Sequence, residues 1–374
     1  HEGADSTSGA PRSLPRFSSD FCDSPPVRSR HLPTILLSTL LVSCGDDGAR
    51  KLAPAPTLSA RELMDASEAI EKFINAERTQ EAVLVARKLI ERAPVGSSAA
   101  ATANELAAQA LFVRARLPAS EVDANERKTL LAEAALCAER SVASASADPA
   151  KIAFAALLAS SAGNAEAARR LFDRSLALAP NDAPNLLQAA LSALGAGDGA
   201  RAKELAARRR IAAADDAWND GLDAQIALAA PDLSLSSEDA AKAAIDAARR
   251  AVAADGDRLE FRMLLARALR KGAKPADAAR MLSALEPSAR AKPAIAEQFA
   301  LALAESNDLV GAARAWEDAL RGNPADPYVR AQTALAFHRA GLDVRAASEL
   351  DALMLMKGGA AERTRIDAIW SNQR

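Results

Sequence analysis

Small and apolar residues recur at helical spacing along most of the chain, and residues 307–324 show the pattern most clearly. Ala312, Trp316 and Ala319 stand at i, i+4 and i+7, so they share one face of an α-helix. Asp308 comes before this run and suits the N-cap position, because its carboxylate can accept hydrogen bonds from the first N–H groups of a helix. The closing proline has no N–H with which to continue the helix. The segment therefore predicts a turn, an amphipathic helix and a stop.

The same pattern returns every 34 residues in both directions, once two insertions around residues 117–127 and 231–238 are allowed. Small residues at the position of Ala312 form one column: Ala82, Ala134, Ala168, Ala202, Ala244, Ala278, Ala312 and Ala346. A second column lies twelve positions earlier: Ala156, Ala190, Ala224, Ala266, Ala300 and Ala334. Small residues let two helices approach closely. Each unit is therefore predicted to be a pair of antiparallel helices with one column on each.

Helix–turn–helix units at a 34-residue period resemble the tetratricopeptide repeat (TPR). The resemblance is carried in one unit by Ala156, Gly163, Asn164, Ala168, Phe172 and Pro180, and in another by Ala300, Asn307, Asp308, Ala312, Trp316, Ala319 and Pro324. It covers about residues 59–358 and implies an all-α, right-handed α-solenoid of about eight units. The early Trp and Tyr positions of the family are mostly Ala, Leu or Arg here, so several units are degenerate. The alternative is an Ala-rich helical bundle without a repeat.

The two ends of the array carry their own signals. Ser59 and Glu62 have the spacing of a capping box, which predicts the start of a helix that runs to about Ala76. At the other end, residues 359–374 predict a capping helix, because the last unit of a solenoid needs a polar outer face.

The segment ahead of the array has the shape of a secretory signal. Arg28 and Arg30 precede the eleven-residue, largely apolar run Leu32–Val42, which is far shorter than the roughly 20 residues that span a bilayer. The sequence Leu-Val-Ser-Cys that ends at Cys44 resembles the lipobox of bacterial lipoproteins. That resemblance implies cleavage before Cys44, acylation of Cys44 and anchoring through the acyl chains.

These signals divide the chain into five segments: a disordered leader (1–26), a lipoprotein signal peptide (27–43), a tether (44–58), the solenoid (59–358) and the capping helix (359–374). The leader is rich in Ser, Pro, Asp and Arg and has no helical period, which is typical of disorder. A signal that began at Val27 would have an ordinary length. We therefore expect Val27 to be the native start and residues 1–26 to lie outside the native protein.

The composition and charge of the chain limit the kinds of partner and of structural chemistry to expect. A formal net charge of −2 gives no electrostatic reason to expect nucleic acid. Three cysteines do not make a disulfide framework, and Cys137 is predicted to be a buried thiol in its helix. The run Arg208–Arg210 falls on a predicted second helix, and we interpret it as a solvated helix face.

The sequence contains no catalytic or metal-binding constellation that we would assign. His338 is the one histidine of the array and no C-x-x-C pair exists, so a His- or Cys-based zinc site is not expected. Gly195–Gly199 resembles a phosphate loop only superficially, because it falls on the turn of the repeat and follows no strand pattern. We therefore predict no metal, no cofactor, no small-molecule substrate and no enzymatic activity.

The first helix of each unit lines a concave surface in TPR proteins, and the register of the repeat places ten residues on it. These candidates are Trp218, Gln225, Met263, Arg267, Arg270, Glu297, Leu301, Tyr328, Leu335 and His338. Trp, Tyr and Arg are favoured at protein interfaces, which makes this surface a candidate binding groove for a partner peptide or helix. The alternative is that these are ordinary exposed or packing residues.

The leading hypothesis is a non-catalytic interaction scaffold, held by lipidated Cys44 on the periplasmic face of a bacterial outer membrane. Its partner would be another protein, and a role in pilus or envelope assembly is its narrower form. The main alternative is a soluble cytoplasmic TPR adaptor without a lipid anchor. An enzyme that uses the array as an accessory is a third hypothesis, which no set of residues supports.

Overall fold

The computed structural model describes residues 58–118, 121–143, 147–229 and 236–371. These ranges contain eighteen helices and no strand. The helices are α1 (Ala60–Asn75), α2 (Thr79–Arg92), α3 (Ser98–Ala115), α4 (Ala124–Ser141), α5 (Pro149–Ser161), α6 (Ala165–Leu178), α7 (Ala183–Gly195), α8 (Gly199–Ala212), α9 (Trp218–Ala229), α10 (Ser237–Ala254), α11 (Leu259–Lys271), α12 (Pro275–Ser283), α13 (Pro287–Arg290), α14 (Pro293–Glu305), α15 (Leu309–Gly322), α16 (Pro327–Arg339), α17 (Asp343–Met354) and α18 (Gly359–Ser371).

The helices form an α-solenoid, which confirms the predicted fold class. Consecutive helices pack as pairs, from α1 with α2 to α16 with α17. First helices of successive units also contact each other, as α9 contacts α11 and α11 contacts α14. Helix α18 packs on both α16 and α17, which is the arrangement of a further first helix.

Both alanine columns lie where the helices of a pair meet. Every alanine of the column that contains Ala312 is at most 5% exposed, and every alanine of the column that contains Ala300 is at most 2% exposed. A larger side chain at such a buried position would have to displace a neighbour. The predicted register is therefore confirmed across the array.

The turn inside a unit uses one residue in the left-handed region. Gly163, Gly197 and Gly341 occupy it with φ of 80°, 80° and 73°, and Asn307 occupies it with φ of 64°. The next residue of several units then caps the second helix, as Asp308 does by accepting a hydrogen bond from Gly311 N at 2.7 Å. The Gly, Asn and Asp of the predicted turn column therefore have a backbone reason.

Two units depart from the regular pattern. In the second unit α3 and α4 are 18 residues each, so longer helices take up part of the inserted length that the sequence placed in residues 117–127. In the sixth unit α12 is only nine residues long, and the short α13 follows it. Pro287 explains the break, because proline disfavours a helical conformation in the preceding residue and donates no hydrogen bond.

The predicted start of the first helix is confirmed. Ser59 Oγ accepts a hydrogen bond from Glu62 N at 3.2 Å, and Glu62 Oε2 accepts one from Ser59 N at 2.9 Å. The leader, the signal peptide, Cys44 and nearly all of the tether lie outside the described residues. None of the helices that the structure describes is both long and apolar enough to cross a membrane.

One contact joins distant parts of the array. Lys357, in the loop after α17, donates from Nζ to Glu121 O at 2.9 Å and lies 3.3 Å from Glu126 Oε2. We call this the closing contact. It brings the loop before α18 to the start of α4, so the array curves back on itself.

Candidate protein-binding surface

The structure places the ten predicted groove residues on four first helices, α9, α11, α14 and α16. We call the surface that these helices form the first-helix surface. Trp218, Met263, Arg267, Arg270, Glu297, Leu301 and Tyr328 are half-buried on it, and His338 is exposed. Gln225 and Leu335 are only 8% and 4% exposed, so they offer little surface for a direct contact.

At the C-terminal end the first-helix surface is covered by α18. Leu335 packs in a core cluster with Ile366 of α18, which is fully buried. The guanidinium carbon of Arg365 lies 5.2 Å from the Tyr328 ring centroid, and the ring of His338 lies 4.5 Å from that of Trp370 at a tilt of 39°. The side chains predicted for the groove in this unit are therefore occupied by contacts inside the chain.

An aromatic contact joins α9 to α11 at one end of their interface. The Trp218 ring meets the Phe261 ring edge-on at 5.0 Å, and Arg258 lies over both rings. Gly221 allows this approach, because a Cβ there would lie 2.7 Å from Phe261 Cε1. The sequence interpretation did not single out Gly221, whose importance depends on its neighbour in the next unit.

Polar contacts fix α11 at its C-terminal end. Arg270 donates from Nε to Glu305 Oε2 at 2.9 Å and from Nη1 to Gln298 Oε1 at 2.8 Å, which ties α11 to α14. Lys271 Nζ donates to Leu228 O at 2.6 Å, which ties α11 to the last turn of α9. Both cations therefore have structural partners.

Arg267 differs from these neighbours. It forms no hydrogen bond or ion pair with a residue of the described ranges. Burial, and then the charge of Arg270, lowers the pKa of the Arg267 guanidinium below its ordinary value, while Glu297 acts in the opposite direction. Because arginine stays protonated in proteins, the lowered pKa means that its positive charge is poorly compensated.

Comparison with known proteins supports the repeat identified from these features. No protein-family model matches the sequence, and no curated protein does either. A tetratricopeptide repeat protein from Parabacteroides merdae is similar in structure, with a TM-score of 0.55 and 10% identity over 74% of this chain and 100% of that one. Yeast Tom70 is similar with a TM-score of 0.54 and 12% identity, over 87% of this chain and 68% of that one. The chain has the TPR fold.

The TPR array also holds a buried polar network that corrects our interpretation of Arg208–Arg210. Arg209 is 2% exposed, and it donates to Asn219 Oδ1 at 2.5 Å and to Asp216 Oδ2 at 2.7 Å. Asn219 Nδ2 donates in turn to Ala213 O at 2.6 Å. Arg209 is thus a structural residue that joins α8 to α9, and only its neighbours in the run lie on an accessible helix face.

The described part of the TPR array has few side chains that could bind a metal ion or act as a nucleophile. It contains no group of three or more His, Cys, Asp or Glu side chains that could hold a metal ion. Cys137 is buried, as predicted, and burial raises the pKa of its thiol to about 11. A thiol with such a pKa is a poor nucleophile at neutral pH, because the thiolate is the reactive form.

Proposed function

We propose that this chain is a non-catalytic interaction scaffold that binds a segment of another protein on the first-helix surface between α9 and α14. The observation that carries the proposal is the contrast along that surface. Half-buried Met263, Arg267 and Leu301 follow one another on neighbouring TPR units, whereas the equivalent region of α16 is covered by α18. An extended peptide or a partner helix could contact several of these side chains at once.

The mixture of side chains favours a protein partner over other classes. The surface combines an aromatic ring, apolar side chains and both signs of charge, which is the composition of protein interfaces. The net charge of −2 offers no general attraction for nucleic acid. The proposal includes no cofactor and no small-molecule substrate.

A pair of photo-crosslinking variants tests the surface. A benzophenone amino acid replaces Met263 or Leu301 in the full chain expressed in bacteria, and exposed Arg314 on α15 serves as the control position. We expect the same partner to crosslink from positions 263 and 301 and not from 314. Equal crosslinking from all three positions, or none from the first two, would contradict the proposal.

We further propose that the chain is anchored in the bacterial envelope through Cys44, on the periplasmic face of the outer membrane. The support is the sequence alone: the paired arginines, the apolar run and the lipobox-like end at Cys44. In this setting the scaffold would serve pilus or envelope assembly.

Mass spectrometry of the N-terminus, with Cys44→Ala as the matched variant, tests the anchor. We expect a chain that starts at Cys44 and carries added acyl mass in the wild type, and no acylation in the variant. An intact, unmodified leader would instead favour a soluble cytoplasmic adaptor, while leaving the crosslinking test of the binding surface unaffected.

A further inference from the structure

A row of equivalent residues changes character in the middle of the array. The residue directly after each alanine of the second column is leucine in four units and polar in the fifth and sixth: Leu157, Leu191, Gln225, Arg267, Leu301 and Leu335. Leucine suits this position because the neighbouring first helices bury much of it. Gln225 and Arg267 place hydrogen-bond donors where the other units place an apolar side chain.

Neither polar residue has a hydrogen-bond partner in the described part of the chain that would explain this exchange. Gln225 is 8% exposed, and its Nε2 donor meets no acceptor among the residues that the structure describes. Arg267 is half-buried and forms no hydrogen bond or ion pair within the described ranges. A buried donor without an acceptor and a desolvated cation without a counter-ion both destabilise a fold.

The two residues lie on helices that pack directly together. The interface of α9 with α11 is bounded at one end by the Trp218–Phe261 ring contact and at the other by the hydrogen bond from Lys271 to Leu228 O. Gln225 and Arg267 lie between these two contacts along their helices. Both therefore belong to one stretch of the first-helix surface.

The neighbouring charges leave Arg267 available for an anion. Arg270 is already bound to Glu305 and Gln298, so its carboxylate partner is not shared with Arg267. Glu297 partly offsets the charge of Arg267. A guanidinium presents its N–H groups in a planar fork that matches a carboxylate, which only accepts hydrogen bonds.

We propose that Arg267 binds the side-chain carboxylate of an Asp or Glu in the partner segment. This inference rests on the proposed function and specifies the chemistry of the partner. Half-buried Met263 and Leu301 lie on the adjacent surface and would contact apolar residues near the acidic one.

A peptide selection with the full chain tests the inference. Random peptides, displayed as fusions that leave no free C-terminal carboxylate, are selected on the wild type, on Arg267→Met and on the control Arg314→Met. We expect an Asp or Glu at one fixed position from the wild type and the control, and no such acid from Arg267→Met. If no selected peptide bound to the first-helix surface, the proposed function and this inference would both be overturned.

A double-mutant cycle on one selected peptide separates the carboxylate contact from general binding. Replacement of the acid by its amide should weaken binding to the wild type by about tenfold or more, and leave binding to Arg267→Met nearly unchanged. If peptides bind the first-helix surface with the same affinity whether they carry the acid or its amide, this inference is overturned and the proposed function stands.

Discussion

The α11 and α16 regions use the same repeat positions in opposite ways. In α16, Leu335 is 4% exposed and packs against Ile366 of α18, so the position belongs to the core. In α11, the equivalent Arg267 is half-buried and has no partner within the described ranges. The difference shows that a repeat position sets the direction of a side chain, while the neighbouring helix decides whether it becomes core or surface.

The largest expected effect comes from removing the cover of the α16 region. Ile366→Asp would place a carboxylate in a fully buried site, and we expect it to lower the opening free energy of α18 by roughly 3 kcal/mol or more. Hydrogen exchange of the α16 and α18 amides would measure this, with exposed Ala361→Asp as the control on the same helix. Equal protection in the two variants would mean that α18 does not cover α16.

The tight contact on the α9–α11 side is tested by Gly221→Ala. The added Cβ would lie 2.7 Å from Phe261 Cε1, and fully buried Phe261 has little freedom to move. We expect a loss of about 1–3 kcal/mol in the free energy of unfolding, measured by urea denaturation. Gly195→Ala is the matched control: its Cβ would meet nothing within 4 Å, so alanine should be neutral or slightly stabilising.

The same exchange of arginine for methionine should have opposite signs in the two regions. Arg330 of α16 pairs with Glu349 and donates to Pro324 O at 3.1 Å, so Arg330→Met should destabilise by about 1–3 kcal/mol. Arg267→Met removes a poorly compensated charge and should stabilise by up to about 1 kcal/mol. Urea denaturation of both variants measures the signs, and a destabilised Arg267→Met would show that Arg267 has a structural partner.

A smaller effect, in pH dependence, should distinguish the N-caps of α16 and α4. Burial raises the pKa of the Asp326 carboxyl above its ordinary 3.8, and Glu362 of α18 adds to the rise. The contribution of Asp326 is then present below its unfolded pKa and lost as pH rises through the higher folded value. The unfolding free energy of the wild type should therefore fall relative to Asp326→Asn across that window.

Asp123 is the control for this pH dependence. The backbone N–H of Glu126 lowers the pKa of the Asp123 carboxyl, so its contribution is present above 3.8 and lost as pH falls. Asp123→Asn should thus show the opposite slope against wild type. The same slope for both variants would contradict the assignment of burial as the cause at Asp326.

The periodic features could be predicted from the sequence because they repeat. The two alanine columns, the Gly, Asn or Asp turns and the capping box of Ser59 each follow from local backbone geometry or from helix contact. Every unit repeats the same physical requirement, so each added unit strengthens the interpretation. The same register also placed Arg267 correctly on a first helix.

The features that were missed depend on a particular neighbour. Arg209 looks solvated by residue type, and its burial follows from Asp216 and Asn219 at the start of the next unit. Leu335 has the register of a groove residue, yet α18 covers it. The period of the repeat does not predict such contacts by itself, because it sets the position of a side chain and not the residue that the side chain meets.

The closing contact depends on the curvature of the whole array. Lys357 and Glu126 are 231 residues apart in sequence, and their pairing is exposed enough to contribute at most about 1 kcal/mol. In a solenoid the rotation between neighbouring units accumulates along the stack, so a small change in each unit becomes a large displacement at the ends. The distance between residues 126 and 357 therefore depends on the rotations between all the neighbouring units that separate them.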